Sequence, residues 1–177
     1  MSEFVGALSK TDLAAAVKIV DEFDVPELVS RSLPELAVEF AKQDPQQAAD
    51  WVMTTGGPAQ AEAMRSVLAR WSSTNDEEAE AWVVDHGTAV DRDTMAAGLS
   101  EGLLGEEPDR ATDWALTIAD QELREERLKS ILIHRVNEDS HSLARWLNTQ
   151  SEDVQAQLRA LDDRVAVFAP THPTLHK

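Results

Sequence analysis

The chain has 177 residues, 42% of them apolar, so it can bury a core but holds no more than one domain or one short repeat array. Its 33 acidic and 16 basic side chains leave a net charge of −17, which counts against direct nucleic-acid binding and against an anionic membrane surface, since both draw affinity from cationic side chains. The absence of cysteine excludes disulfides, thiolate metal sites and cysteine nucleophiles.

The first residues, Met1-Ser2-Glu3-Phe4, carry no basic leader. No apolar run approaches the roughly 20 residues of a membrane span. A cytoplasmic location is the expectation. Going along the chain, 11–23 and 26–42 read as a first pair of helices, with Ile19 at the place that later copies give to Trp. From there Trp51, Trp82, Trp114 and Trp146 set a period, with spacings of 31, 32 and 32 residues. Three residues before each stand Ala48, Ala79, Ala111 and Leu143, and just after each stand Val52, Val83, Ala115 and Leu147.

Seven residues before each Trp come Asp44, Asn75, Glu107 and Asp139, followed by Pro45, Asp76, Pro108 and Ser140. Asp or Asn accepts bonds from the free amides of a helix start, and Pro in the first turn sacrifices no needed donor. Glu107 is a poorer cap. Each unit therefore opens a helix of roughly 11 residues around its Trp. Breaks follow at Gly56-Gly57-Pro58, at His86-Gly87, at Asp120 and near Ser151.

A second helix completes each unit. Counting back from each Trp, position −18 holds Leu33, Met64, Ala96 and Leu128, and position −15 holds Leu36, Val67, Leu99 and Ile131. Position −11 holds Phe40, Trp71, Leu103 and Arg135. These spacings fall on one helical stripe. Position −16 is small at Ser66, Gly98 and Ser130, which predicts close helix approach there. The fold class expected is all-α, a single α-solenoid domain over 1–177 of about five antiparallel helix pairs: 11–42, 43–73, 75–105, 107–137 and 139–167, then a tail at 168–177.

The run Asp44-Pro45-Gln46-Gln47-Ala48-Ala49-Asp50-Trp51 resembles the DPxxAxxW signature of bacterial Trp/Ala-rich helical-hairpin repeats. Asn75-Asp76-Glu77-Glu78-Ala79-Glu80-Ala81-Trp82 is similar to the junction of tetratricopeptide units. The likeness covers about 11–165. It departs where Leu-Gly should follow the Trp: Thr54-Thr55, Asp85-His86, Thr117-Ile118 and Thr149-Gln150 stand there instead. The resemblance implies partner binding rather than catalysis.

No phosphate loop, nucleophile elbow or SxxK motif is present, so no catalytic residue is assigned and no enzyme activity is expected. His86 reads as part of a loop, and His172 and His176 sit in the tail without the carboxylate support that a metal site needs. No metal and no cofactor are expected. Glu77-Glu78, Glu106-Glu107 and Glu125-Glu126 read as acids near helix starts, where the helix dipole favours them. The Trp row reads as core.

The charge is uneven. Residues 75–126 hold 16 acids and 3 bases, a net of −13, whereas 127–177 hold 6 and 7, a net of +1. Within the acidic part, Glu77, Glu80, Asp109 and Asp113, with Val84 and Leu116 between them, form the candidate partner-binding face. A basic or Arg-rich protein partner is the expectation, with a non-enzymatic helical-repeat scaffold or adaptor as the function. The alternative from another class is an acidic mimic of nucleic acid that blocks a DNA- or RNA-processing protein. The oligomeric state is left open.

Overall fold

The computed structural model describes residues 26–87, 92–138 and 140–161, together with Lys18. The described residues form nine helices and no strand: α1 Pro26–Ala41, α2 Pro45–Thr55, α3 Gln60–Ser72, α4 Asp76–His86, α5 Arg92–Leu103, α6 Pro108–Thr117, α7 Gln121–Glu138, α8 Ser140–Thr149 and α9 Glu152–Leu161. The protein is all-α. The stretches 11–17, 19–23, 162–167 and 168–177, with Ile19, His172 and His176, lie outside the described residues.

Local chemistry explains where these helices begin. Asp44 accepts from the Gln47 amide at 2.9 Å and Asn75 accepts from the Glu78 amide at 3.3 Å. Glu107 caps nothing with its side chain, as its poorer geometry predicts. Three helices end through a threonine three residues past the Trp. Thr54, Thr117 and Thr149 donate to the carbonyls of Trp51, Trp114 and Trp146 at 2.7, 2.8 and 2.7 Å. Each hydroxyl thus bonds a carbonyl in the last turn of its own helix. Gly56 and Gly57, at φ 65° and 87°, make the turn after α2 that other residues resist.

Odd-numbered helices each pack on the next odd one, α1 on α3, α3 on α5, α5 on α7 and α7 on α9. Each even helix from α2 to α6 packs on both odd helices that flank it in sequence. The side chains at the junctions are those of the stripes. Leu33, Met64, Ala96, Leu128, Leu36, Val67, Leu99 and Ile131 are all buried, as are Ala48, Ala79, Ala111 and Leu143 on the even helices. Trp82 and Trp146 are buried, and Trp51 and Trp114 are half-buried against the same core. Leu158 is the one buried residue recorded on α9, so the last described helix is mostly wet.

The close approach expected at the small row is found at Gly98. A Cβ there would lie 2.8 Å from the Arg65 carbonyl oxygen and 2.9 Å from the Leu68 Cβ. One turn on, a Cβ at Gly102 would collide with the Ala69 carbonyl and the Ser72 hydroxyl. The α3–α5 junction is therefore built on bare backbone. Ser66 and Ser130 are half-buried and donate to the carbonyls of Glu62 and Glu126.

Candidate partner-binding face

Polar side chains join the even helices to one another. The Trp82 indole donates to Asp50 at 3.1 Å, linking α4 to α2. The Trp114 indole donates to Glu80 at 2.7 Å, and Arg110 bonds both Glu80, at 2.7 Å, and Asp76, linking α6 to α4. The pairs 76–110 and 80–114 share one offset, 34 residues. A constant offset means that α4 and α6 run side by side in the same direction.

Arginines of the odd helices consume further acids. Arg135 is 6% exposed, donates to Asp109 at 2.5 Å and holds its guanidinium 4.3 Å over the Trp146 ring. It occupies a core register, where the carboxylate and the ring face offset part of the cost of burying a cation, while its Nε has no hydrogen-bond partner among the described residues. Arg127 reaches Glu101 at 3.2 Å, and Arg65 sits 3.8 Å from Glu101 and 3.7 Å from Glu126. Glu125 and Glu126 are in the second turn of α7 rather than at its start, with Glu125 accepting from Gln121 at 2.9 Å.

The six residues expected to form one face are thus divided. Glu77 and Asp113 are exposed, with no side-chain partner among the described residues, and Val84 is 73% exposed. Glu80 is tied into the α4–α6 junction and is not a free surface acid. Asp109 is held by Arg135, and Leu116 is half-buried against the apolar cluster that includes Leu128, Ile131 and Leu147. The reason is angular. At about 100° per residue, Glu77 is turned about 100° from Asp76 and about 60° from Glu80, so Asp76 and Glu80 point along the row of even helices while Glu77 points outward.

Direction follows from the same contacts. On α4, Asp76 and Glu80 face α6; on α6, Arg110 and Trp114 face α4. Glu77 follows the first pair by one position and Asp113 precedes Trp114 by one, so both project to the same outer side. Val84, four positions past Glu80, turns from there toward the α6 bank. Asp109 and Leu116 fall on the side of α6 remote from α4. Asp50, Asp76 and Arg110 also belong to these junctions, and their signal in the sequence is an acid on one Trp-bearing helix and a donor 32 or 34 residues later.

His86 is not a loop residue. It ends α4, stacks on Trp82 with ring centroids 4.4 Å apart, and places Nδ1 2.8 Å from the Trp82 carbonyl. Among the described residues no three His, Asp or Glu side chains gather as metal ligands would. No helix among them is long and apolar enough to cross a membrane. A depression of about 250 Å³ is lined by Ala61, Glu62, Arg65, Thr94 and Leu123, and its one cation, Arg65, already lies between Glu101 and Glu126.

The Arg110 guanidinium bonded to Asp76 holds that carboxyl below the usual carboxylate range, and the two carboxylates push Arg110 upward. A lowered pKa in the folded state stabilises the fold above the unfolded value and is lost as pH falls through the lowered one. Acidification below about pH 4 should therefore weaken the α4–α6 junction. In Asp76→Asn the acid side of the Tm-versus-pH curve should be flatter than in the unmodified protein. Superimposable curves would show that the pair contributes nothing to stability.

Comparison of the chain with protein-family models, with curated proteins and with solved structures gave no match.

Proposed function

We propose that the chain is a non-enzymatic interaction module, an α-solenoid of about five helix pairs that binds a protein partner through a basic, Arg-rich surface. The observation that carries this is the sorting of charge. Arginines pair with Asp76, Glu80, Glu101, Asp109 and Glu126, while the exposed Glu77, Glu78, Asp85 and Asp113 have no arginine partner among the described residues, and Val84 on the same helix as three of them is 73% exposed. Acids without internal partners raise the rate and selectivity of association with a basic surface, and apolar spots among them supply desolvated contact. The solenoid reading is supported by the Trp period, by the odd helices packing each on the next, and by the indole-to-carboxylate bonds that join α2 to α4 and α4 to α6, a tie that the Trp146 indole of α8 does not repeat among the described residues. Such arrays present extended surfaces to partners. The reading as a nucleic-acid mimic needs a regular row of free carboxylates, and five acids of the 75–126 stretch are instead matched with arginine.

The module reading is tested by quantitative co-purification from lysate of the source cells at two ionic strengths, followed by reconstitution of each enriched protein. A purified partner that binds at a one-to-one ratio, with affinity falling as salt rises, supports it. Retention of nothing but small metabolites, or turnover of one of them, overturns it.

A further inference from the structure

Resting on that reading, we propose that the outer seam between α4 and α6 receives one basic amphipathic helix of the partner, with an arginine set between Glu77 and Asp113 and an apolar side chain seven residues away against Val84. The level of each group along the seam follows from the offset of 34 between paired positions. Asp113 lies level with position 79 of α4, close to Glu77 on the opposite bank. Val84 lies five to seven residues farther along, level with position 118, just past the end of α6 at Thr117. At 1.5 Å per residue, the carboxylate pair and the apolar spot are separated by roughly 10 Å.

That separation selects the form of the occupant. On a helix, positions i and i+7 are also about 10 Å apart and share one face. On an extended strand the same distance takes about three residues, and an odd spacing turns the second side chain to the opposite face. A helix therefore satisfies both ends of the seam at once. Arginine suits the acidic end better than lysine, because its planar fork can bond two carboxylates together. The seam's own cation, Arg110, is engaged by Asp76 and Glu80 and leaves Glu77 and Asp113 uncompensated.

Neighbouring positions on the even helices lack this combination. On α2, Met53, the counterpart of Val84, is half-buried against the core, and Asp50, the counterpart of Asp113, is engaged by the Trp82 indole. On α8 the counterparts are Arg145 and Asn148, both exposed, so the charge reverses. A basic helix is accommodated at α4–α6 and repelled farther along.

Two synthetic 18-residue helical peptides of identical composition test this by fluorescence anisotropy with the full chain. One carries Arg and Leu seven apart on one face, and the other carries Leu on the opposite face. The first should bind about tenfold tighter, and Glu77→Gln/Asp113→Asn should weaken both peptides, because both carry the arginine. Val84→Ser, at an exposed site, should weaken the first peptide without moving the circular-dichroism melting curve. Equal affinities for the two peptides, or a double variant that binds both as tightly as the unmodified protein, overturn the seam assignment. A reconstituted partner that binds the double variant as tightly as the unmodified protein overturns the seam while leaving the interaction module standing. If no partner is recovered yet the peptide preference holds, the seam stands and the module reading fails.

Discussion

Replacing Trp82 by Ala should cost about 3–5 kcal/mol of folding stability, measured by chemical denaturation followed by far-UV circular dichroism. Trp82 is 5% exposed, packs its ring 6.1 Å from that of Trp71, stacks on His86 and donates to Asp50 on the preceding even helix. The substitution empties a large volume and also leaves α2 and α4 without their polar tie. Trp114→Ala should cost less, because the ring is half-buried, although it strands Glu80 with Arg110 as its only partner. A cost below about 1 kcal/mol at Trp82 would place the indole outside the core and revive a role for the Trp row as a binding surface.

The second large effect is expected at Gly102, where two tendencies oppose each other. Ala in place of Gly inside a helix gains about 1 kcal/mol of intrinsic propensity. At Gly102 the added Cβ meets the Ala69 carbonyl oxygen, a backbone atom that cannot rotate aside. Overpacking of this kind costs about 1–3 kcal/mol and more where backbone must move, so the expected sign is destabilising. Gly105 is the control, since a Cβ there meets nothing within 4 Å, and Gly105→Ala should stay within about 0.5 kcal/mol. A Gly102→Ala protein as stable as the parent would mean that α3 and α5 can separate without loss.

Both results bear on the seam between α4 and α6. Its banks are held by Trp114, Arg110, Asp76 and Glu80, so any variant meant to probe binding must spare those four. Reversing Glu80 would confuse a lost contact with a loosened fold. Glu77, Val84 and Asp113 are the positions where a binding change can be read most cleanly, because they are exposed and their side chains make no hydrogen bond or ion pair among the described residues.

Starts and ends of helices were legible in the sequence because their causes are local. Asp44, Asn75, the two prolines at Pro45 and Pro108, and the Gly56-Gly57 turn act within four residues of themselves. The core rows were legible for a related reason: a helix with one buried stripe must repeat apolar residues at its own period. The division of the acidic face was decided only by tertiary structure. Glu77 and Glu80 are three residues apart and chemically alike, yet one is solvated and the other joins two helices through partners 30 and 34 residues away. The same holds for Met53, Val84 and Leu116, equivalent in register but half-buried, exposed and half-buried. A side chain's place on its own helix is set by a fixed turn of about 100° per residue, whereas its exposure depends on which neighbour comes to lie against it.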